Sequence, residues 1–162
     1  MPKKSIRLRG FSYQAPGPYF VTLVEVRRQP RFGEILGGGV RHTWAGTIVA
    51  DAWERIGILA PGVLLDAFVV MPDHFHGILT LLPESGESPP EASQGLVRPP
   101  RSLGSVVAQF KATTTRLINA ASSTIGGPVW QRNYYEHIIR GQGELERIRR
   151  YIITNPARAN RP

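Results

Sequence analysis

The sequence predicts an α+β protein in which helices pack on an antiparallel sheet. Three observations lead there. Two apolar runs over residues 63–71 and 74–82, separated only by Pro72-Asp73, read as an antiparallel hairpin. Three other segments repeat their apolar residues at helical spacing. The resulting order is strand, strand, helix, two strands, helix, strand, helix, which is that of an α+β sandwich.

Each element has its own local reason. Tyr19 to Val26 is β-branched and aromatic and is entered through the Pro16-Gly17-Pro18 turn, so it reads as a strand. A short second strand is expected over Arg31 to Leu36, after which Gly37-Gly38-Gly39 breaks the chain. Thr43 can cap a helix from Trp44 to about Ile56, with Ile48, Ala52 and Ile56 along one face. The hairpin follows Pro61-Gly62 and is expected at the centre of the sheet. Residues 83–101 hold five prolines and little apolar content, which reads as a flexible loop. Ser102 can cap a helix from Leu103 to Ala121, with Val106, Phe110, Leu117 and Ala121 on one face. Tyr134 to Ile139 is the last strand. Gln142 to about Thr154 is the last helix, with Leu145, Ile148 and Ile152 toward the core. Pro156 is expected to end it, because the residue before proline is pushed out of the α region.

The 162 residues fit one domain spanning 1–162, with a basic arm over 1–16. The absence of cysteine excludes disulfides and thiolate metal sites. No apolar run approaches membrane-spanning length, and MPKKSIRLRG lacks a signal-peptide core, so a cytoplasmic protein with no membrane partner is expected. The net charge of +8 is unevenly placed. Residues 1–55 carry nine Lys/Arg against four Asp/Glu, residues 56–97 none against five, and residues 98–162 eleven against three. Two basic ends around an acidic middle fit a polyanionic partner touched by both.

His74 and His76 sit at i and i+2 in an expected strand, so both imidazoles leave the same face while Phe75 points into the core. The pair reads either as two metal ligands or as unrelated histidines near a strand end. On the last helix, Tyr151 and Asn155 are four apart and share a face opposite the Leu145, Ile148, Ile152 stripe. The Asn155 amide could complete a ligand set and Tyr151 could stand beside the metal. The competing reading makes Tyr151 a packing residue and Asn155 a C-cap. A nearby cation would favour the phenolate and polarise a phosphate oxygen. Histidine and amide ligands with open positions suit Mn²⁺, or Mg²⁺ when phosphate and water complete the shell.

The stretch from Val69 to Leu79, which contains Pro72-Asp73-His74-Phe75-His76-Gly77, resembles the histidine–hydrophobic–histidine motif of single-tyrosine transposases. Trp130 to Arg140, followed by Tyr151-Ile152-Ile153-Thr154-Asn155-Pro156, is similar to the C-terminal signature of the REP-associated tyrosine transposases. Tyr19 to Leu23 and Phe110-Lys111 also resemble that family, so the likeness runs roughly from Gly17 to Pro156. It implies a ferredoxin-like sheet with flanking helices, His74 and His76 as metal ligands, Asn155 as the third ligand and Tyr151 as the catalytic nucleophile. It further implies Mg²⁺ or Mn²⁺, and cleavage of single-stranded DNA beside imperfect hairpins through a 5′-phosphotyrosine link. Residues 83–101 are longer than in compact members, a departure that bears on hairpin recognition or dimer contacts. The protein is expected as a monomer or homodimer.

Tyr134 and Tyr135 are rival nucleophiles, but in a strand they point to opposite faces, so they read as packing or base-stacking residues. Lys3, Lys4, Arg7 and Arg9 are candidate DNA contacts on the N-terminal arm. Lys111, Arg132, Arg140, Arg147, Arg149 and Arg150 are candidate phosphate contacts nearer the nucleophile, against the alternative of a solvated charged face. Two other functions compete with strand transfer. One is a non-catalytic binder of structured single-stranded DNA or RNA. The other is a phosphoesterase using water, against which no acidic residue stands out as a general base.

Overall fold

A stretch of β-branched and aromatic residues forms the first strand, β1 (Gly17–Val24). The computed structural model describes residues 15–83, 102–123 and 126–159. The arm residues Lys3, Lys4, Arg7 and Arg9 and nearly all of the Pro-rich 83–101 loop lie outside those residues. Beyond β1 come β2 (Gly33–Leu36), β3 (Gly39–His42), α1 (Trp44–Leu59), β4 (Val63–Val70), β5 (His74–Leu81), α2 (Leu103–Ala121), β6 (Tyr135–Ile138) and α3 (Gln142–Ala159).

Four strands form one antiparallel sheet in the order β4-β5-β1-β6. The run β1-α1-β4-β5-α2-β6 in that strand order is a ferredoxin-like split βαβ arrangement. The hairpin β2–β3 is inserted before α1, and α3 is appended. Strand alternation assigns the two faces. Tyr19, Val21 and Leu23 of β1 and Phe75 and Leu79 of β5 enter the main core, with Val49 and Trp53 of α1 and Val106 and Phe110 of α2. Phe20 and Ile78 face the other way and pack with Ile139 and Ile152, flanked by Leu145 and Ile148 of α3. Thus α1 and α2 cover one face and α3 the opposite one. Among the described residues no helix is long and apolar enough to cross a membrane.

Three expectations are corrected. The Gly37-Gly38-Gly39 run does not break the chain. Gly37 and Gly38 adopt φ of 58° and 79°, and Leu36 pairs with Gly39, so a two-residue turn closes a hairpin and adds β3. The β4–β5 hairpin is not wholly central, because β4 is an edge strand while β5 lies beside β1. Its apolar run has another cause: α1 packs on one side of β4 and α3 on the other. Finally, α3 continues through Pro156 to Ala159. Proline there forfeits one backbone bond near the helix end, and the burial of Asn155 and Pro156 accompanies the continuation. Asn155 is therefore inside the helix rather than its C-cap.

The turn that launches β5 is stitched to two other segments. Glu25 N–H donates to the Asp73 carbonyl at 2.8 Å, and Phe32 N–H to the Pro72 carbonyl at 2.9 Å. The Phe32 carbonyl accepts from Thr43 N–H at 3.0 Å, and Thr43 caps α1 by accepting from Gly46 N–H. Gly46 is pressed against this knot, and a Cβ there would collide with the Phe32 carbonyl oxygen. Gly46→Ala is expected to destabilise the fold by roughly 3 kcal/mol, as overpacking against backbone does, read from the urea midpoint.

Candidate active site

His74 and His76 project from β5 toward α3, with ring centroids 4.7 Å apart. Each ring has its Nδ1 engaged. His74 Nδ1 lies 2.6 Å from Asp73 Oδ1, and His76 Nδ1 lies 2.7 Å from Thr22 Oγ1. Thr22 stands directly across the ladder from His76. A carboxylate only accepts, so His74 Nδ1 carries the hydrogen, and a neutral ring so held offers the Nε2 lone pair. Metal-binding histidines are oriented by this kind of support on the far ring nitrogen. Burial, reinforced by the neighbouring His74, pushes His76 down to about 4. His76 is therefore neutral at physiological pH, the form that can ligate a metal. Its ring also stacks on Phe20, centroids 5.4 Å apart and 24° between planes.

Helix α3 brings the phenol. Ile152 is fully buried among Phe20, Ile78 and Ile139, which sets the helix rotation. Tyr151, next to it, then lies over His76, with its hydroxyl 3.4 Å from Nε2. The residue is 38% exposed, so it stands at the surface of the cluster rather than sealed within it. His74, His76 and Tyr151 are brought together. Asn155 is buried one turn beyond Tyr151 on the same helix. The expectation that this pair faces away from the Leu145, Ile148, Ile152 stripe is corrected: the Tyr151 ring meets Phe20 of the cluster that Ile152 enters, so the pair flanks the buried stripe rather than opposing it. Among the described residues no three His, Cys, Asp or Glu side chains converge as a metal site. Among the described residues a third protein ligand would therefore be of another kind, and an Asn155 amide oxygen is of a suitable kind.

An ion pair and a hydrogen-bonded carboxylate hold α3 from either side. Arg149 grips Asp66 of the β4 bulge in a bidentate pair, with Nε–Oδ1 at 2.9 Å and Nη2–Oδ2 at 2.6 Å. On the β6 side, Glu144 accepts from Arg140 N–H at 2.6 Å and meets His137 Nε2 at 2.8 Å. The Arg149 guanidinium holds the Asp66 carboxyl below its ordinary 3.8, outweighing partial burial, which acts the other way. A carboxylate depressed in the folded state stabilises above its unfolded pKa, and the effect is lost as pH falls through the folded value. Wild type is therefore expected to be modestly more stable than Asp66→Asn at pH 7. The difference should close below about pH 3.8 in urea titrations run across pH. The pair is partly exposed, so the gap should be much smaller than for a core substitution.

The basic candidates divide. Arg132, Arg140, Arg147 and Arg150 are exposed and available to a polyanion. Arg149 is committed to Asp66 and Glu146. Lys111 is engaged with backbone. It sits on α2, which packs on the face opposite α3, and its ammonium donates to the carbonyls of Gln131 and Arg132 at 2.6 and 3.0 Å. Burial pushes its pKa down. Lys111 therefore ties α2 to the segment entering β6. Sequence reasoning missed Thr22, Phe20 and Asp73. Asp73 carried a signal in its place beside His74. Thr22 and Phe20 carried only strand periodicity, which does not reveal that β1 pairs with β5.

Comparison with known proteins adds the following. No family model matches the chain. An uncharacterised protein of Haemophilus influenzae is 34% identical, the match spanning 95% of this chain and 88% of the relative. The structure of a REP-associated tyrosine transposase bound to a REP hairpin superposes with a TM-score of 0.63 at 22% identity, over 97% of this chain and 75% of that one. That superposition shows a shared fold. A Deinococcus radiodurans structure, provisionally named a transposase, aligns at a TM-score of 0.49 and 18% identity, over 94% of this chain and 98% of that one.

Proposed function

The chain belongs to the same family as the Haemophilus influenzae protein and shares the fold of a hairpin-bound REP-associated tyrosine transposase, and on that premise we propose that it cuts and rejoins single-stranded DNA at hairpin-flanked sites through Tyr151. The observation that carries the reading is the Tyr151 hydroxyl 3.4 Å from His76 Nε2, with His74 alongside and both histidines supported at Nδ1.

The Tyr151 oxygen attacks the scissile phosphorus. A Tyr151 O–P bond forms, the bond from phosphorus to the 3′ oxygen breaks, and the proton given up by the phenol is balanced by one gained at the released 3′ hydroxyl. The phosphotyrosine link conserves the bond energy, so a 3′ hydroxyl can reverse the step. A phenol with a pKa near 10 is a poor nucleophile at neutral pH and needs help to ionise. Two imidazoles on one strand face fit Mn²⁺, or Mg²⁺ with oxygen donors completing the shell. His74, His76 and Asn155 would hold the ion, which when bound supplies positive charge favouring the phenolate and polarising the phosphate. Thr22 and Asp73 fix the two rings, and exposed Arg147 and Arg150 on the Tyr151 helix offer charge to the DNA backbone.

Incubation with a labelled hairpin oligonucleotide and Mn²⁺ tests the reading. A protein–DNA adduct that survives denaturation is expected. If hairpin-bearing single-stranded DNA, including any palindromes that flank its own gene, is bound but never joined, the protein is a binder of structured single strands instead. Thr22→Val should retain the fold yet lower adduct formation about 10–100-fold, the usual effect of removing a partner that orients a metal ligand. Part of that loss should be recovered by raising Mn²⁺, as a titration would reveal.

A further inference from the structure

Two strands from His76 stands an aromatic ring that the strand-transfer chemistry leaves without a task. Tyr135 opens β6 and pairs across β1 with Thr22, which pairs on its other side with His76. Residues in such a row share one face of the sheet. Tyr135 therefore lies on the α3 side, whereas its neighbour Tyr134 turns into the main core. The Tyr135 ring meets Phe20 edge-on at 6.4 Å, and the Tyr151 ring meets the same Phe20 edge-on at 6.2 Å. Phe20 is a buried hub, and the two tyrosines are its exposed rims, 43% and 38% exposed. Ile78, Ile139 and Ile152 already close the packing under Phe20, so the core does not require the outer face of Tyr135. Arg132 and Arg140, both exposed, stand before and after β6 and place cations at either end of the strand.

We propose that Tyr135 stacks on the base of a nucleotide adjoining the scissile phosphate and is a substrate-binding residue of the single-stranded DNA site. The inference rests on the strand-transfer reading for which phosphate Tyr151 meets. Every base presents a π face, so an exposed aromatic beside a cationic track holds a single strand with little regard to sequence. Tyr135 lies one intervening ring from Tyr151, which suits a base next to the phosphate under attack. Its role is to place the strand; the identity of the bases is read elsewhere.

The test pairs Tyr135→Leu and Tyr135→Phe with hairpin oligonucleotides carrying one abasic site, walked through the nucleotides flanking the cleavage position. Binding is followed by fluorescence anisotropy with Mn²⁺, and adduct formation by its initial rate. Tyr135→Leu should raise Kd and KM about tenfold, the scale of one lost base–aromatic stack, with kcat nearly unchanged. Tyr135→Phe, which keeps the ring, should restore both constants. One abasic position should cost wild type the same factor and cost Tyr135→Leu nothing more. Independent losses at every position, or an unchanged Kd in Tyr135→Leu, would overturn the proposal. Wild type that shows the coupled abasic position but forms no adduct keeps the stacking and removes the strand-transfer reading. Wild type that forms the adduct with no coupled position does the reverse, and failure to bind single-stranded DNA removes both.

Discussion

Tyr151→Phe is expected to abolish the covalent DNA adduct, lowering its rate by at least about a thousandfold, the scale of removing a nucleophile. The substitution deletes one oxygen from a side chain that is 38% exposed, and its neighbour Ile152 supplies the packing. Thermal stability and DNA affinity should therefore stay near wild type. Tyr135→Phe is the control, because Tyr135 shares the face but is separated from His76 by Phe20. It should still form the adduct. The reverse pattern, with an adduct from Tyr151→Phe and none from Tyr135→Phe, would move the nucleophile to β6. Denaturing electrophoresis of a 5′-labelled and a 3′-labelled substrate decides this, and the position of the retained label reports which side of the break the protein holds.

His76→Ala carries the second large effect. Loss of an orienting partner outside the coordination shell costs about 10–100-fold, so loss of the ligand itself should lower Mn²⁺ affinity by more than about a hundredfold. Adduct formation should fall with it and recover little at high Mn²⁺, in contrast to Thr22→Val. His76 is almost fully buried and stacked on Phe20, so a cavity also opens beneath Tyr151. His76→Gln, closer in volume, separates the two effects: it should regain stability in urea without regaining metal affinity. Mn²⁺ binding is measured directly by titration calorimetry, which needs no DNA. A His76→Ala protein that binds Mn²⁺ as wild type does would remove the histidines from the metal site.

Much of this site is legible in the order of the residues alone. Strand alternation places His74 and His76 on one face and Phe75 on the other, because the side-chain period in a strand is two. Helical spacing places Ile152 inward, and α2 runs over Leu103–Ala121 from its Ser102 cap, with Val106 and Phe110 buried as expected but Thr114 and Ile118 buried in place of Leu117 and Ala121. These are local properties, set by the backbone geometry of a few consecutive residues. Other features mislead for equally local reasons. The glycine run reads as a breaker, yet a positive-φ pair is what a tight hairpin needs. Pro156 reads as a stop, yet burial accompanies a helix that continues through it.

Residue order alone paired His74 with His76 on one strand face and Tyr151 with Asn155 on one helix face, but it set the second pair away from the Leu145, Ile148, Ile152 stripe, beside which it in fact lies. Only the tertiary structure decided that they meet. His76 and Tyr151 are 75 positions apart, and their contact depends on α3 docking on the face that β1 and β5 present. Tertiary structure likewise set Thr22 opposite His76, and carried Lys111 to the far side of the sheet. The physical reason is the same in each case. Periodicity fixes the direction of a side chain relative to its own backbone, whereas its neighbours depend on which distant segments bury their apolar faces together.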